Sequence, residues 1–159
     1  RVTESFDPSI KKEVTFMELK NRLEKNNIQI EDVPKGGSTL RTRWEDRFAG
    51  NLKKAEKQKI FLTGTTRSNG FLWHLFSYGM KDCLEGIDAD EAFDNERKYS
   101  CYVFWQDTDE AYLIKDASNL SSLDLQTEYD IYVTDTGFHW TYVRTHETGS
   151  LGPYFSRVP

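Results

Sequence analysis

Ser100-Cys-Tyr-Val-Phe-Trp-Gln106 runs into Asp107-Thr-Asp109 and then into Ala111-Tyr-Leu-Ile-Lys115. β-Branched and aromatic side chains suit a pleated surface, and a polar cluster between two such runs reads as a turn. The stretch therefore predicts an antiparallel hairpin. A second follows: Asp130 to Thr134 and Phe138 to Thr145, joined by Asp135-Thr136-Gly137. Gly at the third loop position predicts a three-residue turn closed by a bulge. Tyr154 to Val158 adds an edge strand.

Upstream of these hairpins the apolar period changes. Phe16, Leu19 and Leu23 follow helical spacing, as do Leu40, Trp44 and Phe48. Asn26-Asn27 stops the first helix, and Ile28 and Ile30 then alternate as a short strand. Pro34-Lys35-Gly36-Gly37-Ser38 reads as a loop and candidate hinge, with Ser38 or Thr39 capping the next helix. Lys53 to Leu62 predicts a further helix that buries Ala55 and Ile60, and Thr63 to Gly70 a polar loop. Phe71 to Tyr78 is rich in aromatics and flanked by Gly70 and Gly79, which favours a strand over a helix. Asp88 to Lys98 is helical, acidic at its start and basic at its end, matching the helix dipole. Asn119 to Thr127 reads as a short helix with a capping box at Ser121-Ser-Leu-Asp124. The expected fold class is α+β: N-terminal helices packed on one face of a mainly antiparallel sheet formed by the C-terminal half.

At 159 residues the chain is long enough for a core of its own, and 14% aromatic residues offset a polar 30% charged composition. The expected organisation is a loosely ordered extension over residues 1–16, with Met17 as an alternative start, and a single domain over 17–159. No apolar run approaches the roughly 18 residues of a membrane span, and no apolar leader core is visible at the N-terminus. Cys83 and Cys101 are too few for a disulfide framework and form no CxxC, so reduced thiols and a cytoplasmic location are expected.

Charge is divided along the chain. Residues 1–81 carry 16 Lys+Arg against 10 Asp+Glu, a net of +6, whereas residues 82–159 carry 5 against 16, a net of −11. An acidic half attracts a basic protein partner and repels nucleic acid, unless the two halves neutralise each other within the molecule. The basic run Lys53, Lys54, Lys57 and Lys59 is interrupted by Glu56 and reads as a solvated helix face.

Chemistry-bearing residues are scattered. His74, His139 and His146 show no metal-ligand spacing, so no metal site is expected. Neither Gly36-Gly37 nor the Gly64 to Gly70 loop matches a phosphate or dinucleotide fingerprint, so no cofactor is expected. No GxSxG elbow is present, and Cys101 sits in an apolar strand where a thiol is inert. In Trp73-His74 and His139-Trp140 the indole belongs in the core and the imidazole at its rim. The densest stretch is Trp140-Thr-Tyr-Val-Arg-Thr-His-Glu147, followed by Gly152-Pro-Tyr-Phe155. In a strand, Trp140, Tyr142, Arg144 and His146 share one face, which is either a recognition row, together with Glu147 and Tyr154, or a face lying under the helices. The alternative is a pocket combining His74, His139, His146 and Glu147.

The segments Phe71-Leu-Trp-His-Leu-Phe-Ser-Tyr78, Asp130-Ile-Tyr-Val133, Trp140 to Glu147 and Gly152-Pro-Tyr-Phe155 resemble a bacterial domain-of-unknown-function family of Firmicutes and their phages. The resemblance covers residues 38–157 and leaves residues 1–16 outside. It implies a small stand-alone intracellular domain and implies no catalytic residues. The reading that results is a non-enzymatic protein-binding domain of the immunity or inhibitor type. A small enzyme or ligand-binding protein using the histidines is the alternative, and the oligomeric state is left open.

Overall fold

The computed structural model describes residues 18–61 and 70–159. Residues 18–25 form α1, followed by β1 (Ile30–Asp32), α2 (Gly36–Phe48) and α3 (Lys54–Phe61). Then come α4 (His74–Ser77), β2 (Leu84–Glu85), α5 (Ile87–Asn95), β3 (Cys101–Trp105) and β4 (Ala111–Ile114). A 3-10 turn (Ser122–Leu125), β5 (Ile131–Asp135), β6 (Trp140–Arg144) and β7 (Tyr154–Arg157) complete the order. The expectations for residues 1–16 and for most of the Thr63–Gly70 loop fall outside the described residues.

The strands form one seven-stranded sheet in the order β1-β4-β3-β5-β6-β7-β2, with every neighbour antiparallel. Both expected hairpins are present, with Val103 opposite Tyr112 and Val133 opposite Tyr142. The chain is α+β as read from the sequence. The sheet, however, is covered on both faces rather than one. Cys101, Val103 and Trp105 join Trp140, Tyr142 and Phe155 under α1 and α5. Phe104, Tyr132, Val143 and Tyr154 face the other way, against α2, α3 and α4. The central strands are apolar at nearly every position, and a strand buried on both faces needs a cover on each.

Several local expectations are corrected. Phe71 to Tyr78 is not a strand, since its centre is the one-turn helix α4. Leu72, Trp73, Leu75 and Phe76 are all buried, a spacing that suits a helix and not the alternation of a strand. Gly79, at φ +67°, ends that turn: its N–H donates to Phe76 O and Met80 N–H to Leu75 O, the paired bonds of a left-handed helix cap. The Gly36-Gly37 pair is no hinge, because it opens α2 and both residues are buried. Gly37 donates to Asp109 O at 3.0 Å, and a Cβ there would lie 2.3 Å from Thr108 O. Neither Ser38 nor Thr39 caps α2, since Lys35 occupies the cap position with φ 54°. Ala55 is exposed, while Ile60 is buried as expected. The left-handed residue of the β5–β6 turn is Phe138, at φ 55°, and not Gly137. β7 is an inner strand, flanked by β6 and β2. The capping box is present: Ser121 N–H donates to Asp124 Oδ2 at 2.9 Å.

Trp44 shows how α2 is seated. Its indole N–H donates to Thr141 Oγ1 at 2.8 Å, and its ring meets Phe76 and Tyr132 edge-on. The polar tip is thus satisfied inside an apolar contact, which a buried indole requires.

Candidate functional site

The densest stretch of the sequence divides between two places. Trp140 and Tyr142 are buried, with the Phe93 ring of α5 stacked on Tyr142 at 4.3 Å and edge-on to Trp140 at 5.8 Å. Tyr142 donates its hydroxyl to Asp90 Oδ1 at 2.5 Å, and burial pushes that phenol well above its ordinary range. Arg144 has only 11% of its side chain exposed and lies 3.9 Å from the same carboxylate, with Nη2 donating to Gln126 O at 3.3 Å. Of the two readings left open for this row, the structure places Trp140 and Tyr142 under the helices. The row clamps α5 through Asp90. Tyr154 faces the opposite side, buried beside Phe76.

What this clamp presents to solvent is the outer line of β2 and α5. Leu84 is 46% exposed and Ile87 75% exposed. Asp82, Glu85, Asp88, Glu91 and Asp94 are all exposed along the same segment. Ala89 and Phe93 turn inward, so Ile87, Asp88, Glu91 and Asp94 occupy the opposite side of the helix. Asp94 is held by Ser122, and Glu85 accepts Gly152 N–H. No described cation pairs with Asp88 or Glu91. Elsewhere the charged halves do neutralise each other in part: Arg22 meets the buried Glu128 at 3.3 Å, and Arg41 lies 4.0 Å from Asp109.

The second place lies where β5 begins and β6 ends. Asp130 sits just ahead of β5 in a left-handed conformation, φ 52°. Its Oδ1 accepts the Trp73 indole N–H at 3.0 Å and the His146 backbone N–H at 3.1 Å. His146 Nδ1 lies 3.0 Å from both carboxylate oxygens. With Nδ1 against the carboxylate, Nε2 has no partner among the described residues. Around this anchor Phe71 stacks on Trp73 at 5.3 Å, His146 meets Phe71 at 4.9 Å, and His74 meets Trp73 at 4.4 Å and Tyr78 at 5.3 Å. Behind them Tyr132 OH accepts Trp73 N–H and donates to Gln106, which also accepts Leu72 N–H at 2.9 Å. Burial lowers the His74 pKa below its ordinary value; Glu147 and Asp130 act to raise it and His146 to lower it further. His74 and His146 are thus both brought against Phe71 and Trp73, with Glu147 next to His146 in the chain. His139 is not: it sits at the other end of the hairpin, its Nδ1 2.6 Å from Asp135 Oδ2.

Among the described residues no group of three His, Cys, Asp or Glu side chains is placed to hold a metal ion. Both cysteines are free thiols. Burial pushes Cys101 up to about 12 and Cys83 up to about 11, so neither supplies a thiolate nucleophile near neutral pH. Asp130, Phe71 and Tyr78 were missed as site residues from sequence. The one available signal was the recurrence of aromatic residues beside both histidines.

The geometry defines an α+β protein built on one antiparallel sheet, carrying an acidic ridge and a separate aromatic–histidine cluster. The chain belongs to the family described as domain of unknown function DUF4275, whose family model matches residues 17–155. The match begins well ahead of residue 38, where the resemblance read from the sequence began. No curated protein and no solved structure matches the chain. No helix among the described residues is long and apolar enough to cross a membrane.

Proposed function

We propose that this chain is a non-enzymatic protein-binding domain of the inhibitor or immunity type, working in a bacterial cytoplasm, and that it docks a basic partner on the ridge from β2 through α5. The observation that carries the reading is the pairing of Ile87, 75% exposed, with Asp88 and Glu91, which have no described counter-ion. Leu84 and Ile87 together expose apolar surface rimmed by carboxylates, the combination that an interface with a basic partner presents. The clamp from Tyr142 and Arg144 to Asp90 supports it, because a rigidly seated helix loses little freedom on docking.

The experiment is capture from host lysate with tagged wild-type protein and an Ile87→Ser/Glu91→Lys variant, at low and high salt, with a photo-crosslinker at position 87. One dominant basic protein, crosslinked at position 87 and lost both in the variant and at high salt, is the expected result. Recovery of the same proteins by the variant, an acidic partner, or no partner under either condition refutes the reading. The meeting of His74 and His146 at Phe71 and Trp73 favours a second reading, a small-molecule site at the aromatic cluster.

A further inference from the structure

We propose that the aromatic–histidine cluster is a binding site for a planar cation of the guanidinium type. The inference stands apart from the docking ridge, which lies on β2 and α5.

Asp130 already accepts from the indole and backbone donors and faces the imidazole described above. No described group bonds to Nε2 of His146 or to the carboxylate of Glu147, and both residues are exposed. An imidazole with its Nδ1–H toward Asp130 offers an acceptor at Nε2, and a carboxylate offers acceptors only. The remaining open surface consists of ring faces: Phe71 and His74 are half-buried and Tyr78 is 62% exposed. Among the described residues the charges acting on His74 come from Glu147, Asp130 and His146, with no lysine or arginine among them.

A surface of acceptors and π faces under two carboxylates selects its ligand by elimination. Anions are repelled by Glu147 and Asp130. A neutral apolar ligand leaves the Glu147 charge and the His146 acceptor unpaired. An ammonium ion is compact and strongly hydrated, whereas a guanidinium is flat, weakly hydrated and carries its donors in a fork. It stacks on an aromatic face while donating to a carboxylate in its own plane. Phe71 and Tyr78 supply faces, and Glu147 and His146 supply acceptors on the neighbouring loop. The same chemistry arises from a free guanidino compound or from an arginine side chain in a polypeptide.

The test is a titration of the intact chain with argininamide, lysinamide and a Gly-Arg-Gly peptide. It is read by the Trp73 indole resonance in 1H–15N spectra and by calorimetry. Argininamide is expected to shift that resonance saturably with a Kd of about 1 mM or tighter. Glu147→Gln is expected to weaken binding about tenfold or more, the loss of one charge-assisted contact. Phe71→Leu serves as a second variant, and Glu147→Gln must melt like wild type, since its side chain makes no described contact in the fold. Tighter binding of the peptide than of argininamide assigns the site to arginine within a chain, and equal binding to a free guanidino compound. Either supports the proposal. Absence of saturation, equal binding of lysinamide, or indifference to both substitutions overturns it.

Discussion

Replacing Asp130 separates what its charge does from what its backbone does. In Asp130→Ala the Trp73 indole N–H loses its acceptor at 3.0 Å, and the Trp73 side chain is almost wholly buried. An orphaned buried donor costs about 1–3 kcal/mol. Alanine in the left-handed conformation that position 130 adopts, φ 52°, costs roughly 1–2 kcal/mol more. The His146 contacts are partly exposed and add little, because 42% of that side chain meets solvent. The sum is about 2–5 kcal/mol. Asp130→Asn behaves differently. Asparagine tolerates the left-handed region, and its amide oxygen still accepts from Trp73, so the loss is about 1 kcal/mol. The neutral asparagine amide gives up the charge-assisted character of the contact with His146 while the fold survives. Urea unfolding of the three proteins measures the difference. For a chain of this size each kcal/mol moves the melting temperature by about 2–4 °C. Equal destabilisation by Ala and Asn, or no measurable change with Ala, refutes the assignment of Asp130 as the anchor of the cluster.

Gly37→Ala pushes a Cβ to 2.3 Å from Thr108 O and 2.8 Å from Asp109 Cα, so it is expected to destabilise by about 1–3 kcal/mol or more in a thermal melt. Gly79→Ala meets no steric neighbour but forces alanine into φ +67°, with an expected loss of about 1 kcal/mol in the same assay. Burial raises the Glu128 pKa, with Arg22 opposing, so the folded state holds that proton more tightly than the unfolded chain. The stability linked to it is present below the unfolded value, 4.5, and is lost as pH rises through the folded one. Glu128→Gln should therefore gain on wild type as pH is raised from 4.5, and unfolding free energies that diverge in the opposite sense refute this. Burial holds Tyr132, Tyr142 and Tyr154 far above the ordinary phenol range and takes Tyr112 up to about 12. In a spectrophotometric titration these four should ionise together with alkaline unfolding, and separate ionisation while the circular dichroism stays native argues against their burial.

The helical first half and the two hairpins were legible because each rests on a local period: Leu40, Trp44 and Phe48 for α2, and the apolar runs beside Asp107-Thr-Asp109 for β3 and β4. The errors arose where a local cue had more than one cause. Gly79 bounds a helical turn and a strand equally well, and only the burial of Leu72, Trp73, Leu75 and Phe76 together distinguishes them. Gly36-Gly37 reads as flexibility in one dimension. In three it is a close approach of α2 to the β3–β4 turn. Apolar strands without alternation already implied two covered faces, a consequence of the side-chain period that was open to reading in Cys101 to Trp105.

The candidate sites depended on contacts that span most of the chain. From composition and period alone came an α+β chain with two hairpins and an acidic second half. Only tertiary structure decided that Tyr142 and Arg144 grip Asp90 across 52 and 54 positions, turning Ile87, Asp88 and Glu91 outward. Likewise only the fold carried Trp73 and His146 to the same Asp130, from 57 positions before it and 16 after it. The physical reason is that side-chain periodicity reports which face of an element is apolar. What covers that face, and which polar groups meet at its rim, is set by sheet order and strand register.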